Sequence, residues 1–119
     1  MNYQVLYHGT NLEYEKEQVE KHGKYLHSYH GEVQLIDDLG SAYIFARRNF
    51  YVVNHRATPA ILVINPSNIQ NLVRVATNGF GLSIPFLKKE EYGIIRADCG
   101  FDVCKNELEK IVASFTKAA

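Results

Sequence analysis

One uninterrupted apolar run constrains the fold of this chain more than any other feature. Residues 60–64 read Ala-Ile-Leu-Val-Ile, with Pro59 before them and Asn65-Pro66 after them. A strand with one wet face alternates apolar and polar residues, whereas a continuous β-branched run is typical of a strand that is covered on both faces. We therefore predict a central strand at 60–64, with other elements packed against both of its faces.

Three segments have the pattern of helices. The clearest is 12–22, where Asn11 supplies an N-cap, acidic residues precede basic ones, and Gly23 follows. That charge order stabilises a helix dipole, and glycine is the residue that most often ends a helix. In the two remaining segments apolar residues recur three and four positions apart, which predicts helices at 47–56 and 106–118.

The other predicted elements are short. Strands are expected at 3–7, 41–46 and 92–96. A turn is expected at His8-Gly9-Thr10 and another at 78–81, where the sequence is Asn-Gly-Phe-Gly. Residues 24–39 are predicted to be a loop with at most one short strand, and 68–76 to be either a strand or a short helix. Because strands and helices alternate unevenly, we predict a single α+β domain over 1–119.

Charge balance, hydropathy and cysteine spacing give no sign of a nucleic-acid partner, a membrane span or a metal site. The 13 basic and 13 acidic residues cancel, so the chain has no surplus of positive charge for nucleic acid, although a local basic patch stays open. No charged leader or long apolar stretch is seen, and we expect a monomeric protein without a membrane partner that is cytoplasmic or exported by a route that leaves no such signal. Cys99 and Cys104 lack further ligands at zinc spacing, so we predict no metal and reduced thiols.

Several residues that carry chemistry are predicted to lie at strand ends. The segment Tyr7-His8-Gly9-Thr10 closes the first strand, Tyr43 lies in the second, and Glu91 precedes the last. Glycine lets a ligand approach the backbone closely, and imidazole and hydroxyl groups bind sugar hydroxyls. A histidine, an aromatic ring and a carboxylate together suit a flat, positively charged ring attached to a sugar.

At these residues the sequence resembles the NAD-dependent ADP-ribosyltransferases of the branch that includes diphtheria toxin and the poly(ADP-ribose) polymerases. That branch carries a His-Tyr-Glu triad, and its first strand commonly ends in Tyr-His-Gly-Thr, as at residues 7–10. Its third motif resembles Glu91-Tyr92-Gly93-Ile94. The resemblance implies an ADP-ribosyltransferase-like fold of two packed, mainly antiparallel sheets flanked by a few helices. It also implies NAD as the substrate, with no metal.

The resemblance also implies roles for single residues. His8 would bond a ribose hydroxyl of NAD, the backbone of Gly9 would hold the nicotinamide carboxamide, and Thr10 would contact the adenosine side. Tyr43 would stack on the nicotinamide ring. Glu91 would bond the ribose 2′-hydroxyl and stabilise the positive charge that develops when nicotinamide leaves.

Two of these positions have alternatives. In the family the motif tyrosine directly precedes Phe-Ala, whereas here Ile44 stands between Tyr43 and Phe45-Ala46. If Phe-Ala anchors the motif, Ile44 takes the stacking place, and a shift of one residue reverses the face of a strand. A second stacking residue is expected on the following helix, where Tyr51 and His55 lie four positions apart and can share one face.

The function implied is transfer of ADP-ribose from NAD to a protein, nucleic acid or small molecule, with release of nicotinamide, as in toxins and other small modifying enzymes. Two alternatives stay open. The first is a module on the same scaffold that binds NAD or ADP-ribose without turnover. The second is an unrelated α+β domain, in which His8, Tyr43 and Glu91 would lie far apart. A related class of enzymes, which removes a 2′-phosphate from RNA, is disfavoured because an RNA substrate requires a basic cluster and no additional one is seen in the sequence.

Overall fold

The apolar run forms the middle strand of a sheet in the computed structural model, which describes residues 5–27, 31–48, 51–65 and 82–118. In chain order the strands are β1 (Leu6–Asn11), β2 (Val33–Leu35), β3 (Pro59–Ile64), β4 (Leu82–Ile84) and β5 (Tyr92–Arg96). The helices are α1 (Leu12–His22), α2 (Leu39–Ala46) and α3 (Phe101–Ala118), and a short 3₁₀ helix, Lys89–Glu91, precedes β5.

The strands form two antiparallel sheets. One has the order β1-β3-β5, in which Gly9 pairs with Ile61 and Ile61 with Ile95. The other contains β2 and β4, with Gln34 opposite Ser83. The predicted α+β class, with two mainly antiparallel sheets flanked by helices, is confirmed.

Each face of β3 belongs to a different core. Leu62 and Ile64 point towards the two-stranded sheet, and they pack with Leu6 of β1 and Leu35 of β2. The intervening residues of β3 point the other way and pack under α2 and α3; this second core includes Tyr7, Ile61, Val63, Ile95, Ala42, Ala46 and Cys104. Both faces of β3 are therefore buried, which is why apolar and polar residues do not alternate along this strand.

The helix predicted at 12–22 is confirmed. The Asn11 side chain accepts a hydrogen bond from the Tyr14 backbone N–H at 2.7 Å, and Gly23 ends the helix in the left-handed conformation with φ of 73°. A cap of this kind stabilises a helix by about 1 kcal/mol. The carboxyl-terminal helix is also confirmed, although α3 begins at Phe101, five residues before the predicted start at 106.

Two predictions about the middle of the chain are wrong. Residues 41–46 were expected to be a strand, but they lie in α2, because Asp38 caps that helix by accepting bonds from the Ser41 backbone N–H at 3.0 Å and hydroxyl at 2.6 Å. The helix expected at 47–56 is absent from residues 51–56, which form a tight turn closed by backbone bonds between Val53 and Arg56. Asn54 and His55 at its tip have positive φ, as a type I′ turn requires.

The predicted turn at His8-Gly9-Thr10 is also wrong, because β1 runs through it to Asn11 and stays paired with β3 along its length. The strands at 60–64 and 92–96 are confirmed, and the loop at 24–39 contains one short strand, β2. The predictions for 68–76 and 78–81 lie outside the described residues. Among the described helices, none combines the length and the apolar character that crossing a lipid bilayer requires.

Candidate functional site

A cleft of about 450 Å³ opens where the two sheets meet. Its lining comes from β1, β2, α2 and the segments that flank them, and consists of His8, Gly9, His27, Glu32, Gln34, Ile36, Phe45 and Tyr51. This volume falls in the range of small-molecule sites, about 300 to 1,000 Å³. Two of the predicted family-motif residues, His8 and Gly9, and one predicted stacking residue, Tyr51, therefore share a cleft.

The backbone of β1 points towards this cleft at Gly9. Two positions earlier, Tyr7 exchanges backbone hydrogen bonds of 2.7 and 2.9 Å with Ile36, which joins β1 to the end of β2. Backbone groups alternate in direction along a strand, so the N–H and C=O of Gly9 point to the same side as those of Tyr7. Gly9 lies beyond this single bridge and thus presents one donor and one acceptor on the cleft side of the sheet.

Packing against α2 also requires glycine at position 9. A Cβ atom at this position would lie 2.8 Å from the carbonyl oxygen of Ala42 and 3.0 Å from the backbone nitrogen of Ala46. Both are backbone atoms of α2, so the helix would have to move away. The glycine lets α2 pack closely on β1, and this packing brings Phe45 of the same helix to the rim of the cleft.

His8 is a buried member of a hydrogen-bond network. Its Nδ1 lies 2.8 Å from the carbonyl oxygen of Gln34, and its Nε2 lies 2.9 Å from the hydroxyl of Tyr25. A carbonyl oxygen only accepts, so Nδ1 carries the proton and Nε2 of the neutral ring accepts from the phenol. Burial lowers the pKa of His8 to about 4; the Gln34 carbonyl opposes this effect and the nearby His27 adds to it.

Thr10 and Tyr25 complete this network inside the core. The Tyr25 hydroxyl lies 3.0 Å from Oγ1 of Thr10, and both side chains are buried. Burial, the main cause, raises the pKa of Tyr25, so the phenol stays protonated. Thr10, for which the family resemblance implies a contact with adenosine, therefore has its hydroxyl in the core beside Tyr25.

One wall of the cleft is formed by alternate residues of the segment that contains β2. Val33 and Leu35 point into the core between the sheets, whereas Glu32, Gln34 and Ile36 line the cleft. The carboxylate of Glu32 accepts a hydrogen bond of 2.9 Å from the hydroxyl of Ser83 on β4. Sequence reasoning missed this wall, although the alternation of Glu-Val-Gln-Leu at 32–35 is a two-residue period that predicts a half-buried strand.

Aromatic side chains also line the cleft. Phe45 is 44% exposed on α2, and Tyr51 stacks on Tyr14 with ring centroids 4.9 Å apart. The ring of His27 meets that of Tyr51 edge-on at 4.8 Å. Asn11 holds the Tyr51 backbone, since its side-chain amide donates to the Tyr51 carbonyl oxygen at 2.7 Å. The same asparagine thus caps α1 and fixes one aromatic ring of the cleft.

Tyr43 is not brought to the cleft. Its hydroxyl donates to the carbonyl oxygen of Cys99 at 2.6 Å, and its ring meets that of Phe101 edge-on. It packs with the core under α2 and α3, on the face of the sheet opposite His8. The prediction placed Tyr43 in a strand, where every second side chain points to the same face; in a helix the direction of a side chain follows a period of about 3.6 residues. Ile44, the alternative stacking residue, is 59% exposed and lies outside the lining.

Glu91 is not brought to the cleft either. It ends the 3₁₀ helix before β5, where its Oε1 accepts a hydrogen bond of 2.7 Å from the Lys88 backbone N–H. Its neighbour Tyr92 points into the core and donates to Glu15 at 2.5 Å, and Lys89 donates to the same carboxylate at 2.8 Å. His55 is exposed at the tip of the turn at 53–56, so it does not share a helix face with Tyr51.

Within the described parts of the chain, no three His, Cys, Asp or Glu side chains are grouped to hold a metal ion. Comparison of the chain with models of known protein families, with curated proteins and with solved structures gave no match. A function is therefore inferred from the chemistry of the cleft together with the motif resemblance.

Proposed function

We propose that this cleft binds NAD and that the chain transfers ADP-ribose from NAD to an acceptor, releasing nicotinamide. The supporting observation is that His8 and Gly9 of the Tyr-His-Gly-Thr segment face the same cleft as aromatic side chains and a carboxylate. A flat ring that carries positive charge is attracted to aromatic faces and to a nearby carboxylate. Oxidised nicotinamide has both properties.

In this proposal the nicotinamide ring lies between Phe45 and Tyr51. Its carboxamide offers one acceptor and two donors, which complement the N–H and C=O that Gly9 directs to the cleft. His8 acts as a positioning residue, because its two nitrogens already bond Gln34 and Tyr25. It ties β1 to β2 and so holds the Gly9 backbone at a fixed distance from the wall that carries Glu32.

Glu32 takes the role that the resemblance gives to Glu91. The bond between the anomeric carbon and the ring nitrogen breaks with both electrons on nitrogen, so nicotinamide leaves neutral and the ribose becomes positively charged. A fixed carboxylate lowers the energy of that charge in the transition state. The acceptor then bonds to the anomeric carbon and loses a proton to solvent. Glu32 is held for this task by the hydroxyl of Ser83.

The test compares two matched substitutions. Labelled NAD is incubated with the chain and a cell lysate that supplies acceptors, and free nicotinamide is measured. Glu32→Gln keeps an oxygen that can accept from Ser83 but removes the charge, and we expect release to fall about 100-fold. Glu91→Gln, the control, should leave release unchanged. Loss of release in Glu91→Gln alone would return the catalytic role to Glu91.

The second candidate is a module that binds NAD or ADP-ribose without turnover. It is favoured by the position of Tyr43 and Glu91 outside the cleft and by the occupied nitrogens of His8. Titration calorimetry with NAD distinguishes the two functions. Binding of NAD without release of nicotinamide from any lysate supports the module, and absence of binding with both NAD and ADP-ribose contradicts both functions.

A further inference from the structure

The two cysteines of the chain lie in contact on the side of the sheet away from the cleft. Cys99 follows β5, Cys104 lies in the first turn of α3, and their sulfur atoms are 3.9 Å apart. Both thiols face the same carbonyl oxygen, that of Arg96, at 3.6 and 3.4 Å. A disulfide has a sulfur–sulfur bond of about 2.05 Å, so the two sulfur atoms need to approach by less than about 2 Å.

The backbone between the two cysteines leaves room for this approach. Gly100 is exposed, and a Cβ atom added to it would have no neighbour within 4 Å. The turn at 98–100 therefore has open space on its outer side at Gly100, while on its inner side the Cys99 carbonyl oxygen is bonded to the Tyr43 hydroxyl. Cys104 is fully buried, whereas Cys99 is half-buried, so a small oxidant reaches Cys99 first.

We propose that Cys99 and Cys104 are a modification site at which a peroxide forms a reversible intramolecular disulfide. In the first step the thiolate of Cys99 attacks a peroxide oxygen; the oxygen–oxygen bond breaks, and the leaving oxygen becomes water. The product is a sulfenic acid. The sulfur of Cys104 then attacks the Cys99 sulfur, the sulfur–oxygen bond breaks, and a second water leaves with the thiol proton. The two thiols together lose two electrons and two protons to the peroxide.

This site is connected to α2. The Tyr43 hydroxyl donates to the Cys99 carbonyl oxygen at 2.6 Å. Arg47, at the end of the same helix, donates to the Ala97 carbonyl oxygen at 2.8 Å and to the Tyr43 hydroxyl at 3.2 Å. A shift of the Cys99 backbone on oxidation is therefore transmitted to the helix that packs on Gly9 and carries Phe45. In this proposal Tyr43 connects the thiol pair to α2.

Mass spectrometry of the intact chain tests the proposal. After treatment with hydrogen peroxide, the monomer should lose the mass of two hydrogen atoms and regain it with a thiol reductant. Because the chain has only 2 cysteines, an intramolecular loss of this size identifies the pair. Cys104→Ser should stop at the addition of one oxygen atom, and Cys99→Ser should react far more slowly. Disulfide-linked dimers, or addition of oxygen atoms to the wild-type chain without the two-hydrogen loss, would overturn the proposal.

Hydrogen exchange tests the connection to α2. Oxidation should change the exchange rates of the α2 amides severalfold in the wild-type chain. In Tyr43→Phe, which lacks the hydroxyl that bonds Cys99, the disulfide should form and α2 should respond less. Exchange in α2 that is the same before and after oxidation of the wild-type chain would overturn the connection. Neither readout depends on NAD, so this result stands apart from the proposed function.

Discussion

At the scale of single residues, His8 joins the fold to the cleft. It is 5% exposed, and its two nitrogens connect the carbonyl of Gln34 on β2 with the phenol of Tyr25. The ring accepts from the phenol through Nε2 when it is neutral and carries its proton on Nδ1, whereas a protonated ring would have to donate to the phenol oxygen instead. Protonation of Nε2 would replace an acceptor by a second donor inside a site where desolvation already disfavours charge.

The depressed pKa of His8 predicts acid sensitivity. In the unfolded chain the imidazole takes up a proton near its ordinary pKa of 6.5, but in the fold it does so only near 4. The unfolded state thus binds more protons between these values, and stability falls as the pH drops through this window. His8 alone should lower the free energy of unfolding by about 3 kcal/mol between about pH 7 and about pH 4. Unfolding in urea at the two pH values measures this difference.

A variant and a control isolate this contribution. His8→Gln should show a weaker pH dependence than the wild-type chain, and His55→Asn should show the wild-type dependence, since His55 is exposed and asparagine tolerates its left-handed backbone. If His8→Gln does not fold, titration of the His8 ring by NMR gives the same answer. A His8 ring that titrates near 6.5 contradicts the prediction.

At the scale of elements, the contact between β1 and α2 decides the shape of the cleft. Glycine at position 9 was interpreted from the sequence as an opening for a ligand. The structure adds a second reason for glycine, because Ala42 and Ala46 lie four residues apart on α2 and bring that helix's backbone against the strand. Strand and helix are close enough there for Phe45 to reach the rim of the cleft.

Gly9→Ala should therefore destabilise the fold. Its new methyl group meets backbone atoms at 2.8 and 3.0 Å, and overpacking of this kind costs about 2 kcal/mol. Gly100→Ala is the matched control, because its Cβ atom meets nothing within 4 Å and its cost should stay below about 1 kcal/mol. Unfolding in urea measures both, and equal losses in the two variants would show that the close contact is not needed.

The elements that the sequence predicted well are those with local signals. The apolar run of β3 and the caps of α1 at Asn11 and Gly23 are readable because a few adjacent residues determine them. The segment 41–46 is short and apolar on all sides, a composition that suits either a strand or a helix, and the decisive cap at Asp38 lies before it. The strand through His8-Gly9-Thr10 depends on pairing with β3, which no local pattern encodes.

At the scale of the whole molecule, the cleft is a product of topology. β1 and β2 meet through one backbone bridge, between Tyr7 and Ile36, and then through the side chain of His8. His8 and Gly9 both line the cleft because they are neighbours in β1, so the motif already brings these two residues together. It could not indicate that Glu32 faces them, since that requires two sheets to be packed at a defined angle.

The proposed NAD site predicts that NAD stabilises the whole chain. A ligand at 100 times its dissociation constant adds about 2.7 kcal/mol, which for a chain of this size raises the melting temperature by about 10 °C. Phe45→Ala removes one aromatic wall and should weaken binding about tenfold. The same NAD concentration then stabilises this variant by roughly half as much. Ile44→Ala is the control on the same helix, since Ile44 is exposed but lies outside the cleft lining.

Comparing these two variants shows whether stabilisation by NAD depends on the cleft or on α2 as a whole. Both remove an exposed apolar side chain from adjacent positions, so both should have similar melting temperatures without ligand. With NAD present, a full shift in Ile44→Ala and a reduced one in Phe45→Ala place the nicotinamide ring beside Phe45. ADP-ribose, which lacks that ring, should shift both variants equally. Equal shifts with NAD would mean that the ring binds elsewhere, and the assignment of Phe45 would be wrong.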